Sequence, residues 1–98
     1  MAKILYVEDN LSLSFVTTDQ LKKRNYDIVS CKDGKEAFSA FLENIFDLCI
    51  LDIMLPEIDG FELAKKIRQE NAHIPIIFLS ARSMQEDKIE GLKIGGDD

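Results

Sequence analysis

The sequence has few of the residues that mark specialised classes of protein. Its 98 residues include no tryptophan, two prolines, two cysteines and one histidine. No stretch reaches the roughly 18 uncharged apolar residues of a membrane span, and the N-terminal residues 1–7 run into charge without a signal-peptide core. We therefore expect a cytoplasmic protein, neither inserted into a membrane nor exported.

The cysteines and the histidine do not form a pattern for redox or zinc chemistry. Cys31 and Cys49 lie in apolar runs and lack the C-x-x-C spacing of such sites. His73 stands in a polar segment with no second ligand near it in the sequence. The expectation is two buried structural thiols and a solvated histidine.

The charge balance is acidic. The 18 Asp and Glu residues outnumber the 12 Lys and Arg residues, for a formal net charge of -6. Binding to nucleic acid depends on cations that displace phosphate counterions, so this chain is not expected to contact nucleic acid directly. With 46% hydrophobic and 31% charged residues, the composition is typical of one folded globular domain.

Short apolar runs alternate with segments of helical spacing. The runs at residues 4–7, 27–31, 48–51 and 74–79 are rich in β-favouring residues, and each is too short for a helix. Asp33, Asp59 and Ser83 precede three of the helical segments and are suited to cap them. The order β-α-β-α-β-α-β-α predicts an α/β protein with a doubly wound parallel sheet and helices on both of its faces.

Acidic side chains follow the predicted strands. Glu8 and Asp9 come after the first strand and Asp52 after the third. Ligands of open parallel sheets bind at the carboxyl ends of the strands. If the first and third strands are neighbours, these carboxylates converge, and their repulsion raises a pKa or requires a cation. An all-oxygen set with room for water favours Mg²⁺.

Small residues follow the fourth predicted strand. The hydroxyl group of Ser80 can donate to a phosphoryl oxygen, and the small Ala81 lets such a group approach the backbone. Because the sequence offers no Ser–His or Cys–His pair, the candidate nucleophile is a carboxylate, which can carry an aspartyl phosphate. Asp52 is the best candidate because it follows the central apolar run, whose packing would hold it rigidly.

Four motifs in order resemble those of the receiver domain of bacterial two-component response regulators. They are V-E-D-N at residues 7–10, L-D-I-M-L-P-E-I-D-G at 51–60, L-S-A at 79–81 and G-L-K-I-G-G-D-D at 91–98. The resemblance covers the whole chain. It implies a flavodoxin-like (βα)5 fold, of which four βα units are present, with strand order 2-1-3-4 and the fifth strand missing.

The same resemblance assigns roles to the acidic residues. Asp52 is the residue that is phosphorylated, and the donor is a sensor histidine kinase or a small acyl phosphate. Asp9, Asp52 and the backbone carbonyl group of Met54 hold Mg²⁺, while Glu8 acts through a bound water molecule. Such a protein is a signalling module that catalyses only its own phosphorylation and dephosphorylation.

The resemblance also implies how the phosphoryl group is bound and how its presence changes a partner surface. Ser80 bonds to it and switches a partner surface, and Met54 and Ala81 flank it. Met54 and Arg82 can overhang the group where a water molecule attacks. Since methionine cannot orient that water, we expect slow hydrolysis. By analogy with similar regulators, the output is transcription through a separate DNA-binding domain.

One departure from the family pattern leaves alternatives open. The family's lysine and switch aromatic lie on a fifth strand, which these 98 residues do not include. We expect residues 1–98 to be an incomplete receiver domain whose uncovered surfaces favour a swapped or edge-paired homodimer. The alternative function is a degenerate receiver that serves only as a protein-interaction module. A flavin or dehalogenase domain is disfavoured, because Glu8 and Asp9 would repel a flavin phosphate and no D-x-D motif follows the first strand.

Overall fold

A computed structural model describes residues 1–79 of the chain. Its strands are β1 (Lys3–Val7), β2 (Asp27–Cys31), β3 (Leu48–Asp52) and β4 (Ile76–Leu79), and its helices are α1 (Leu11–Lys23), α2 (Gly34–Glu43) and α3 (Gly60–Glu70). The predicted fourth helix with its cap Ser83, and the site candidates Ser80 and Ala81, lie outside the described residues.

The four strands form one parallel sheet in the order β2-β1-β3-β4. This confirms the predicted doubly wound α/β fold and the strand order. The third strand is one residue longer than predicted, because Asp52 pairs with Leu79. The fourth begins at Ile76 because Pro75 has no amide hydrogen to donate to a ladder, although its carbonyl group accepts from the amide of Cys49.

Apolar side chains are buried on both faces of the sheet, which explains why the strands are nearly continuous hydrophobic runs. Leu5, Val7 and Leu51 pack with α2 and α3 in the larger cluster. Ile4 and Tyr6 form a smaller cluster on the side of α1. Within residues 1–79, no helix has the length and apolar character to span a membrane.

Both cysteines are buried and free, as predicted. Burial raises the pKa of Cys31 to about 11 and that of Cys49 to about 12. Thiols with such pKa values are neutral at physiological pH and are poor nucleophiles and metal ligands. His73 is exposed, which agrees with its expected place at the surface.

Side-chain caps place the starts of the helices. Asp33 accepts a hydrogen bond from the amide of Glu36 at 2.7 Å, and Asp59 accepts one from the amide of Glu62 at 2.9 Å. These two predicted caps are confirmed. Asn10 caps α1 by accepting from the amide of Leu13, so α1 begins directly after the acidic pair.

Candidate functional site

The structure brings the three acidic candidates together at the carboxyl edge of the sheet. Strands β1 and β3 are neighbours, with Val7 opposite Leu51, so the residues that follow Val7 lie beside Asp52. One carboxylate oxygen from each of Glu8, Asp9 and Asp52 lies within 4.8 Å of the others. Glu8 is 5% exposed and Asp52 is 6% exposed, whereas Asp9 is open to solvent.

Backbone hydrogen bonds hold both sides of this cluster. The amide of Glu8 donates to the carbonyl oxygen of Cys31 at 3.0 Å, which ties the acidic pair to the end of β2. The carboxylate of Glu8 accepts from the amide of Asn10 at 3.1 Å. Across the cluster, the carboxylate of Asp52 accepts from the amide of Met54 at 3.1 Å. The carboxylates are therefore oriented by the main chain around them.

Burial and the neighbouring carboxylates destabilise the ionised form of Glu8. Its pKa rises to about 7, first because the carboxyl group is buried and then because Asp52 and Asp9 carry like charges, against the lowering effect of the hydrogen bond from Asn10. Burial, and secondarily the charges of Glu8 and Asp52, also raise the pKa of Tyr6, whose side chain is fully buried. The site thus has a surplus of negative charge that protonation or a cation relieves.

The backbone at the end of β3 requires a glycine at position 60. The amide of Gly60 donates to the carbonyl oxygen of Ile53 at 3.0 Å. A Cβ atom on Gly60 would collide with the carbonyl oxygen of Asp52 and lie 2.9 Å from the Cα atom of Ile53. From the sequence alone, Gly60 is a turn former after Asp59. The structure adds that α3 begins directly against the strand end that carries Asp52.

Of the remaining site candidates, only Met54 lies within the described residues. The amide of Met54 donates to the Asp52 carboxylate, which places Met54 beside the cluster. The side chain of Met54 is 48% exposed. Ser80 and Ala81, expected to contact the phosphoryl group, lie beyond the described residues, as does Arg82. The supporting role of the Cys31 carbonyl group could not be predicted from the sequence, because a backbone contact leaves no residue-type signal.

Residues 4–98 match the family described as the response regulator receiver domain. The chain belongs to this family. The transcriptional regulatory protein RprY of Bacteroides fragilis is 46% identical over 96 residues, which are 98% of this chain and 41% of that protein. The response regulator ArlR of Staphylococcus saprophyticus is 44% identical over 98 residues, which are 100% of this chain and 44% of that protein.

Solved receiver domains have the same fold. The receiver domain of the Francisella response regulator 1452 is 36% identical with a TM-score of 0.90, covering 100% of this chain and 81% of that one. The response regulator TrrA of Thermotoga maritima, solved in complex with Mg²⁺ and BeF, is 32% identical with a TM-score of 0.89, covering 99% and 83%. The chain spans less than half the length of RprY and ArlR.

Proposed function

We propose that this chain is a phosphoacceptor signalling domain in which Asp52 receives a phosphoryl group in the presence of Mg²⁺. The observation that carries the proposal is the convergence of three carboxylates, two of them buried, at the end of neighbouring parallel strands. Structural ion pairing does not account for this cluster, because its three members carry the same charge. Binding of a cation and then of an anionic phosphoryl group would explain why the three carboxylates lie so close together.

The donor set fits Mg²⁺. Three carboxylate oxygens lie within reach of one ion, and hard divalent cations prefer oxygen ligands. Asp9 and Asp52, with the backbone carbonyl group of Met54, would hold the ion directly, and Glu8 would hold it through water. When bound, Mg²⁺ neutralises the charge of the carboxylates and of the incoming phosphoryl oxygens.

The chemistry that we propose for the chain is nucleophilic attack by one oxygen of Asp52 on phosphorus. The new O–P bond forms as the bond to the leaving group breaks, and that group departs with the bonding electron pair. The leaving group is the imidazole of a phosphohistidine or the carboxylate of a small acyl phosphate. The amide of Met54 contributes by holding the Asp52 carboxylate in orientation. Ser80 and Ala81 would contact the phosphoryl group once it is bound to Asp52.

The donor in the cell is proposed to be a sensor histidine kinase, and the output a separate DNA-binding domain. Relatives named as transcriptional regulatory proteins, each more than twice as long as this chain, support the second point. The signal would pass from Ser80 to a partner surface that changes on phosphorylation. By this proposal the chain is a switch and acts on no substrate but itself.

The deciding experiment incubates the full-length protein with Mg²⁺ and acetyl phosphate and measures the intact mass. We expect the mass of one phosphoryl group on the wild type and none on Asp52→Asn. Asp19→Asn is the matched control, since it removes an acid outside the cluster at an exposed position of α1. If the wild type and Asp52→Asn both remain unmodified, the chain is the alternative, a degenerate receiver that serves only as an interaction module.

The lifetime of the phosphorylated state is expected to depend on Met54. Its exposed side chain follows Asp52 closely and has no group that orients water for in-line attack on phosphorus. Met54→Asn supplies an amide that can orient water but cannot take its proton, so we expect dephosphorylation about tenfold faster, less than the roughly hundredfold or more of a positioned general base. The loss of phosphoprotein over time measures this, and a slower variant would contradict it.

Apolar side chains on the α1 side of the sheet support the expectation of further structure there. Leu13 is 41%, Val16 56% and Ile77 43% exposed. We propose that a fifth strand and helix cover this face in the complete domain and that, without them, two copies pair through it. Light scattering on residues 1–98 is expected to give the mass of a dimer, while a longer chain with the fifth βα unit gives that of a monomer at the same concentration.

A further inference from the structure

A contact outside the acidic cluster joins the loop after β3 to the start of α2. Ile58 lies in that loop and packs on Gly34, the first residue of α2. A Cβ atom on Gly34 would lie 3.2 Å from both the Cβ atom and the carbonyl oxygen of Ile58. Because Gly34 is buried, no open space is available to relieve the contact. A side chain at position 34 would therefore push the loop away from α2 by a few tenths of an ångström.

The loop has a conformation that needs such support. Glu57 has a φ angle of 64°, and the amide of Ile58 donates to the carbonyl oxygen of Pro56 at 2.7 Å. This is a γ-turn with positive φ, which is strained for a residue other than glycine and persists only where the surroundings hold it. Leu55 is buried on one side of the turn and Ile58 sits on Gly34 at the other.

The segment that receives Ile58 also holds the opposite side of the acidic cluster. The carbonyl oxygen of Cys31, at the end of β2, accepts from the amide of Glu8. Two side-chain hydrogen bonds stabilise this junction. The carboxylate of Glu36 accepts from the amide of Lys32, and the carboxylate of Asp33 accepts from the amide of Glu36. Residues 31–34 are thus a hydrogen-bonded segment that contacts Glu8 through Cys31 and the loop after Asp52 through Gly34.

We propose that the β2–α2 junction, residues 31–34, is a positioning element for phosphoryl transfer, although none of its side chains belongs to the acidic cluster. Ile58 seated on Gly34 holds the loop whose Met54 amide orients the Asp52 carboxylate. The Cys31 carbonyl group holds Glu8 in register across the cluster. This inference rests on the proposed phosphorylation of Asp52. A displacement of the loop moves the nucleophile relative to the metal ligands, and small displacements of reacting groups are costly in rate.

The test compares variants of the full-length protein at saturating Mg²⁺ and acetyl phosphate. We expect Ile58→Ala, which loses all side-chain atoms beyond Cβ, including the Cγ2 atom on the side of Gly34, to be phosphorylated about tenfold more slowly than the wild type. Ile58→Val keeps both the Cβ and Cγ2 atoms and is expected to restore the rate. Ile67→Val, which loses a methylene group in the buried apolar cluster towards the end of α3, is the control for general loosening of the core.

A second measurement separates positioning from stability. The amide resonance of Met54 is expected to move in Ile58→Ala and in Gly34→Ala, and to stay in place in Ile67→Val. If Gly34→Ala does not fold, the Ile58 variants decide the question by themselves. The inference is wrong if Ile58→Ala matches Ile67→Val in rate and leaves the Met54 amide unmoved. A wild type that takes no phosphoryl group would instead refute the proposed function.

Discussion

Without divalent cations, the stability of this protein is expected to fall as the pH rises from 4.5 to 8, by up to about 3 kcal/mol through Glu8 alone. The carboxyl group of Glu8 has a pKa of about 7 in the folded state, against 4.5 as its ordinary value. A folded-state pKa above the unfolded one favours folding while the group is protonated. That contribution is complete below pH 4.5 and is lost as the pH rises through 7.

Urea unfolding followed by circular dichroism, in EDTA at a series of pH values, measures this effect. Glu8→Gln is expected to remove the slope because its amide does not titrate, and Glu70→Gln, at an exposed position, is expected to keep it. At pH 8, Mg²⁺ should restore stability to the wild type, because the ion binds the ionised carboxylates of the folded state. A Glu8→Gln protein with the wild-type slope would show that the crowding does not act through Glu8.

Gly60→Ala is expected to cost about 3 kcal/mol of the free energy of unfolding, at the upper end for the insertion of one carbon into a packed site. The new methyl group meets the carbonyl oxygen of Asp52 and the Cα atom of Ile53, both of which belong to the backbone at the end of β3. A flexible side chain could move aside, but this backbone is held by the hydrogen bond from the Gly60 amide.

The control for Gly60→Ala is Gln69→Ala, at an exposed position of the same helix. Alanine has the highest helix propensity, so this change is expected to be neutral or to add a few tenths of a kcal/mol. Urea unfolding of both variants makes the comparison. A Gly60→Ala protein as stable as the wild type would mean that α3 can withdraw from Asp52 at no cost, and that the close approach is not required.

The predicted elements were mostly correct because the pattern of apolar residues carried enough information. Strand β1 ends at Val7 as the run of apolar residues does, and the caps Asp33 and Asp59 accept the bonds that their position predicts. The end of β3 was one residue short, because Asp52 is a charged residue that joins the ladder. The pairing of Asp52 depends on where strand β4 lies, so it cannot be predicted from the residues around Asp52.

The burial of Glu8 and Asp52 could not be predicted from the local sequence pattern. Glutamate and aspartate are rarely buried, so Glu8 and Asp52 each suggest a solvated residue when taken alone. Their burial follows from the adjacency of β1 and β3, which are separated in sequence by a helix, a strand and a second helix. The order of the elements places these acids at one edge of the sheet only if β1 and β3 are assumed to pair in parallel.

The sequence by itself determined the order of strands and helices and the identity of the acids at the strand ends, because periodicity and capping are local properties of the chain. Only the tertiary structure decided which oxygens meet, how far the pKa of Glu8 rises and that Gly34 receives Ile58. Those quantities depend on distances between segments remote in sequence, and these distances are set by the packing of the whole sheet against its helices.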